Sequence, residues 1–248
     1  MPPTADHRPV WFADAQPPRT TEPLSRERVV AAAIAIADAD VSGEITMRAV
    51  AARLGSSTPM SLYRYVGSKD GLADLMVDEV YGEITVPPGD WRDALRGLGL
   101  SAWEAVQRHP WFARLAFSRP PLGPHAIALY DAALAPLDGL DLDAATRMGF
   151  VNAVLGPVMG AGLAMLEERA MRARSGLATE EDLAEAARPY VERIVAEGRH
   201  PHFIRWVSDP ARLLPGPPTF EQTLEWVLDG LDGLIAAAAG TPGAGAAP

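Results

Sequence analysis

Between residues 45 and 69 four basic side chains, Arg48, Arg53, Arg64 and Lys69, occur with no acidic one, in a chain of 248 residues whose formal net charge is −10. Such an island suits an anionic partner, because clustered Lys and Arg neutralise phosphates whatever the base sequence. Lys69 is the only lysine in the chain. In the first turn of a helix its ammonium and the positive helix end would converge on a phosphate. Arg48, in the first turn of a preceding helix, is placed to reach a guanine edge or a phosphate, the base contact being preferred. The segment PMSLYRYV between them sets Met60, Ser61 and Arg64 on one face, with the hydroxyls of Tyr63 and Tyr65 available to phosphates and Leu62 and Val66 pointing inward.

Other chemistries find less support. There is no cysteine, so thiolate metal sites, disulfides and cysteine nucleophiles are excluded, and the absence suits a reducing cytoplasm. His200-Pro201-His202 has neither chelating spacing nor a third ligand, so it reads as a solvated loop and no metal is expected. Glu167-Glu168 and Glu180-Glu181-Asp182 are acidic helix surface, lacking the apolar setting that would tune a catalytic carboxyl. Gly160-Ala161-Gly162 lacks the third glycine and preceding strand of a dinucleotide turn. No nucleophile, base and orienting group come together, so the expectation is no enzyme and no cofactor.

The elements that must position the basic island are short helices. Val30, Ala33, Ile34 and Ala37 form an apolar stripe on a first helix from Ser25 to about Ala39, broken by Asp40 to Glu44. Thr46 caps a second helix, Met47 to Leu54, ended by Gly55. Thr58 caps a third, with Pro59 in its first position, running through Tyr65. Ser68 caps a fourth, whose Leu72, Leu75, Met76 and Val80 face one side and which ends before Pro87. Further helices are expected at about residues 90–107, 110–118, 124–136, 141–174, 179–197 and 219–239. Asp90, Asp141, Thr179 and Thr219 are their caps, Thr219 with Gln222 as a capping box.

Composition agrees with an all-α chain: 48% apolar residues, 7% aromatic, and Gly and Pro mainly between the periodic stretches. Residues 1–24 read as a flexible arm and 240–248 as a low-complexity, disordered tail. No apolar run follows a basic N-terminus as in a secretion signal. Met148 to Leu166 carries no charge over nineteen residues, a length at which spanning a membrane is conceivable. Its four glycines, Pro157 and Asn152 favour instead a helix buried on two faces.

TMRAVAARLG, a turn, and PMSLYRYVGSKDGLADLMVDEV together resemble the DNA-binding region of tetracycline-repressor family regulators, over about residues 25–82. The most specific piece is Leu62-Tyr63-Arg64-Tyr65-Val66 followed by Lys69. The resemblance implies phosphate contacts from Tyr63 and Lys69 and base contacts from Met60 and Ser61. The turn between Gly55 and Met60 is one residue longer than the commonest family pattern. The N-terminal arm resembles those of some antibiotic-producer regulators, which implies minor-groove contacts from Arg19, Arg26 and Arg28.

DWRDAL, RHPWFARL and PLGP resemble, more loosely, the family's ligand-binding and dimerisation domain, here residues 83–239. The implied architecture is an N-terminal three-helix domain with a helix-turn-helix plus a larger C-terminal helical domain. Trp103, His109, Trp111, Phe112, Phe117, His125, Tyr130, Phe150, Asn152 and Met159 fall on helices that line the family's pocket, which implies a small apolar or amphipathic ligand. The stripe Phe220, Leu224, Val227, Leu228, Leu231, Leu234, Ile235 suits another helix, and Val151, Val154, Val158, Gly162 and Met165 give the partner stripe. In the resembling fold these helices form a four-helix homodimer interface. The expected function is a repressor released by ligand from a palindromic, double-stranded operator. The alternatives are a same-fold activator, or a helical binding protein or enzyme whose N-terminal helices are structural only.

Overall fold

A computed structural model describes residues 24–39, 45–55, 58–177, 179–209 and 219–240. Among these residues all regular structure is helical: α1 (Arg26–Ala39), α2 (Met47–Arg53), α3 (Met60–Val66), α4 (Lys69–Tyr81), α5 (Trp91–Arg108), α6 (Trp111–Phe117), α7 (Pro124–Leu134), α8 (Ala144–Ser175), α9 (Glu180–Glu197), α10 (Pro201–Val207) and α11 (Phe220–Gly240), with a 3-10 turn at Ala135–Leu137. The expected arm up to residue 23, with Arg19, and the tail from residue 241 lie outside the described residues.

The N-terminal helices close on one apolar centre. α1 packs on α2, α3 and α4, and Val29, Ala33, Val50, Leu62, Val66 and Met76 are buried there. Ile34 and Leu75, expected on the inner stripes, are only partly buried. The helices start where side chains satisfy their first N–H groups: Thr46 accepts from Ala49 N at 3.1 Å and Ser68 from Gly71 N at 2.8 Å. Asp90 and Thr179 cap as expected, and Thr219 and Gln222 form the reciprocal pair. The cap of α8 is Asp143, which accepts from Thr146 N, and not Asp141. The spacing alone allowed either aspartate.

α4 joins this unit to the rest, packing on both α6 and α7. α8 then packs along α5 and α6, with α11 against α5 and α8. A Cβ at Gly162 would lie 2.3 Å from Val106 Cγ1, so the missing side chain lets α8 approach α5 closely. By length and composition α8 would suffice to cross a membrane, and 44% of its most apolar window is buried inside the chain. His200-Pro201-His202, expected as a loop, opens the seven-residue helix α10, with Pro201 in its first turn. Proline there gives up no intrahelical hydrogen bond, so it starts the helix and does not prevent it. Among the described residues no group of three or more His, Cys, Asp or Glu is gathered to hold a metal.

Candidate nucleic-acid interface and sensing region

α2 and α3 are each followed by a glycine with a positive φ. Gly55 after α2 has φ +66°, and Gly67 after α3 has φ +71°, a region that side chains other than glycine rarely adopt. Helical dihedrals begin at Pro59, where the cap makes no side-chain hydrogen bond. Thr58 supports α3 instead through its carbonyl, which accepts from Ser61 N at 3.3 Å and Ser61 Oγ at 2.7 Å.

Polar and apolar faces of α3 separate. Leu62 and Val66 are fully buried, while Met60 is 74% exposed. Arg64 is exposed, and Ser61, Tyr63 and Tyr65 are half-buried at the rim. The Arg64 guanidinium lies 4.9 Å from the Tyr65 ring centroid and donates to its hydroxyl at 2.9 Å, a cation–π contact that orders both side chains. Thr46, Arg48, Arg53 and Lys69 are exposed, so the positive island faces outward. Arg28 is exposed on α1. Arg26 has a different employment from the minor-groove contact expected of it: its Nε donates to the Tyr65 carbonyl at 3.1 Å, bracing α1 against α3.

The ten candidate pocket residues do not surround one cavity. Trp111, Phe112, Phe150 and Met159 are buried, and rings fill the space between helices: Tyr81 on Phe112 at 5.1 Å, Trp91 on Phe150 at 6.2 Å and Trp103 on Phe220 at 4.8 Å. Burial raises the pKa of the Tyr81 and Tyr130 hydroxyls, making them weaker acids. Phe117 is 60% exposed and Asn152 and His125 are exposed. His109 is buried but bonded to carboxylates on α1 and just after α4. An open groove of about 430 Å³ lies elsewhere, lined by Val86, Pro87, Pro88, Ala132, Ala135 and Pro136. Helical spacing identifies an inner face, and an inner face that packs on neighbours looks the same in sequence as one that lines a void.

The dimer stripe also needs correction. Val151, Val158, Gly162, Leu224, Leu228 and Leu231 are buried within one chain, against α5, α6 and each other, and cannot meet a partner. Val227, Ile235 and Met165 are partly buried, and Leu234 is 58% exposed. The outward face of the pair carries Gly149, Asn152, Gly156 and Gly160 of α8 and Trp226, Gly230, Gly233 and Leu234 of α11. A Cβ at any of these five glycines would meet nothing within 4 Å.

Several polar anchors of α4 escaped the sequence reading. The Asp78 carboxylate accepts from Ala126 N at 3.0 Å and His125 N at 3.3 Å, at the start of α7. Arg119 lies over α4, Nη2 3.3 Å from Asp70 and Nε 2.8 Å from Asp74 but without hydrogen-bond alignment to it. Burial raises the Asp74 pKa, opposed by Arg119. The available signal was a charge, Asp78, inside the apolar face of LMVDEV. On α11, Glu225 meets Arg92 and Arg96 of α5 at 3.0 and 2.6 Å.

Residues 85–235 match the family described as Tetracyclin repressor-like, C-terminal domain. The chain belongs to the tetracycline-repressor family. The HTH-type transcriptional repressor DrrR1 of Streptomyces coeruleorubidus is 35% identical over 232 residues, covering 92% of this chain and 84% of that protein. An HTH-type transcriptional regulator of Saccharopolyspora erythraea is 33% identical over 154 residues, covering 61% of this chain and 65% of its own length. The fold is that of apo ActR from Streptomyces coelicolor, with TM-score 0.67 and 24% identity over 89% of this chain and 100% of ActR. ActR in complex with actinorhodin superposes with TM-score 0.63 at 23% identity, over 89% of this chain and 100% of that one. This tetracycline-repressor family member is a DNA-binding transcriptional repressor with an N-terminal helix-turn-helix.

Proposed function

We propose that the chain is a cytoplasmic, homodimeric, non-enzymatic repressor that grips a palindromic operator through α3 and releases it when a small apolar or amphipathic molecule binds its C-terminal helices. The observation that carries the reading is the arrangement of α3 and α4. α3 buries Leu62 and Val66 and presents Met60, Ser61 and Arg64, while α4 begins at exposed Lys69 and ends packed on α6 and α7. Thr46, Arg48, Thr58, Pro59, Tyr63, Tyr65, Lys69 and Arg28 are likewise assigned to operator DNA.

Two reading helices must meet half-sites about one helical turn apart, so a dimer is required. The outward face of α8 and α11 supports it. Glycine in a helix interior costs about 0.5–1 kcal/mol relative to alanine, and five on one face are explained if a second copy approaches closely there. Trp226, 63% exposed on α11, supplies apolar area to bury.

The ligand part is supported by the ActR complex with actinorhodin. A ligand releases DNA only by binding the released form more tightly. Because Tyr81 of α4 packs edge-on against Phe112 of α6, a molecule entering beside α6 has to displace packing that holds α4.

The test is electrophoretic titration against the chain's own upstream promoter. Binding near nanomolar, weakened about tenfold or more by Lys69→Ala or Tyr63→Ala, is the expected result. No specific retention of any promoter fragment refutes the reading, and activation of a reporter by the bound protein would make it an activator.

A further inference from the structure

Two polar side chains are buried among the described residues, Asp78 and His109. His109 ends α5, where its Nδ1 lies 2.8 Å from Asp38 Oδ1, and the indole Nε1 of Trp111 donates to the same oxygen at 2.6 Å. Its Nε2 lies 3.3 Å from the Glu83 carboxylate, which Arg108 also holds at 2.9 Å. Three segments distant in sequence therefore meet: the last turn of α1, the residues after α4, and the α5–α6 junction.

Asp38 stands where its own helix disfavours it. A carboxylate in a last turn faces the carbonyl ends of the helix, and α1 has no basic residue there to compensate. The two N–H groups offered by His109 and Trp111 come from beyond α4 and offset that cost. Asp38 and Glu83 lie at the solvent edge of the cluster, whereas removing Asp38 leaves the buried His109 and Trp111 donors without this shared acceptor.

We propose that Asp38, His109, Trp111 and Glu83 form a latch that fixes the angle between the helix-turn-helix and the C-terminal domain, and so sets the half-site spacing the dimer accepts. This rests on the reading of the chain as an operator-binding dimer. Heads held rigidly accept one separation of half-sites, whereas heads that swing about α4 accept several. Asp38 and Trp111 are not on the exposed face of α3. They are positioning residues, acting on recognition through the placement of that helix.

The experiment uses the full chain and an operator selected from random duplexes, rebuilt with one or two base pairs added to or removed from its centre. The wild type loses at least about tenfold in affinity per base pair of change, and Asp38→Ala and Trp111→Phe reduce that loss at least about threefold while leaving single half-site affinity within about twofold. Trp111→Phe keeps a buried aromatic ring while removing the donor and part of the indole volume, and so breaks the same bond from the other side should Asp38→Ala misfold. Asp38→Asn retains an acceptor oxygen for the indole and restores most of the spacing preference. Equal weakening on every spacing, or unchanged discrimination, overturns the latch. A wild type that binds no duplex in the selection overturns the operator reading itself, and the latch with it.

Discussion

The carboxylate of Asp78 on α4 accepts the backbone N–H of Ala126 at 3.0 Å, so the buried side chain of one helix caps another. An anion at a helix N-terminus is favoured by the dipole and by unpaired N–H groups. Asp78→Ala leaves two such groups without this acceptor and is expected to lower stability by about 1–3 kcal/mol. Denaturant unfolding of wild type and variant measures it, and equal midpoints would show that the cap contributes nothing. Gly123→Ala should act at the same point, since its Cβ would lie 2.1 Å from Asp78 Oδ1.

Met60, 74% exposed on α3, has an apolar end and only a weakly accepting sulfur to offer a purine edge. Thymine is the base whose major-groove edge carries a methyl group. Replacing one operator thymine by deoxyuridine should weaken binding about fourfold, the worth of one buried methyl. In Met60→Ala the same replacement should change little. A uridine scan with no sensitive position, or one equally sensitive in both proteins, would remove Met60 from recognition.

The outward α8–α11 face predicts opposite outcomes for two substitutions on α8. Gly156→Leu fills space with no neighbour within 4 Å in one chain and should convert dimer to monomer, abolishing operator binding with little loss of monomer stability. Val158→Ala, at a fully buried position, should cost about 1–3 kcal/mol and leave the dimer intact. Sedimentation together with thermal unfolding distinguishes them. A dimeric Gly156→Leu would place the interface elsewhere.

The Glu225 carboxyl is held below its ordinary value of 4.5, first by the hydrogen bond from Arg96 and further by Arg92, against opposing desolvation. A carboxyl whose folded-state value is lowered contributes stability that is present above 4.5 and lost as pH falls through the folded value. With Glu225 41% exposed, solvent screening keeps the gain to about 1 kcal/mol or less. The difference in melting temperature between wild type and Glu225→Gln should be present at neutral pH and vanish in acid. A difference that grows on acidification would contradict the assignment.

The helices and the two faces of α3 were legible in the sequence because their causes are local. Thr46, Ser68, Asp90 and Thr179 cap within three residues of themselves, Gly55 and Gly67 end helices by their own backbone freedom, and Leu62 and Val66 sit four apart on one helix face. The 3.6-residue period fixes those relations before any tertiary contact forms.

What only the folded chain decided is which apolar face goes inward and what meets it there. Both sides of α8 are free of charge from Met148 to Leu166, so periodicity could not choose between Val151 and Val158 on one side and Gly156 and Gly160 on the other; packing on α5 and α6 chose. His109 and Trp111 are aromatic residues of a kind that lines cavities, yet a carboxylate more than seventy positions earlier makes them an interdomain junction. Side-chain type states what a group can bond to, and only the meeting of distant segments supplies the group it does bond to.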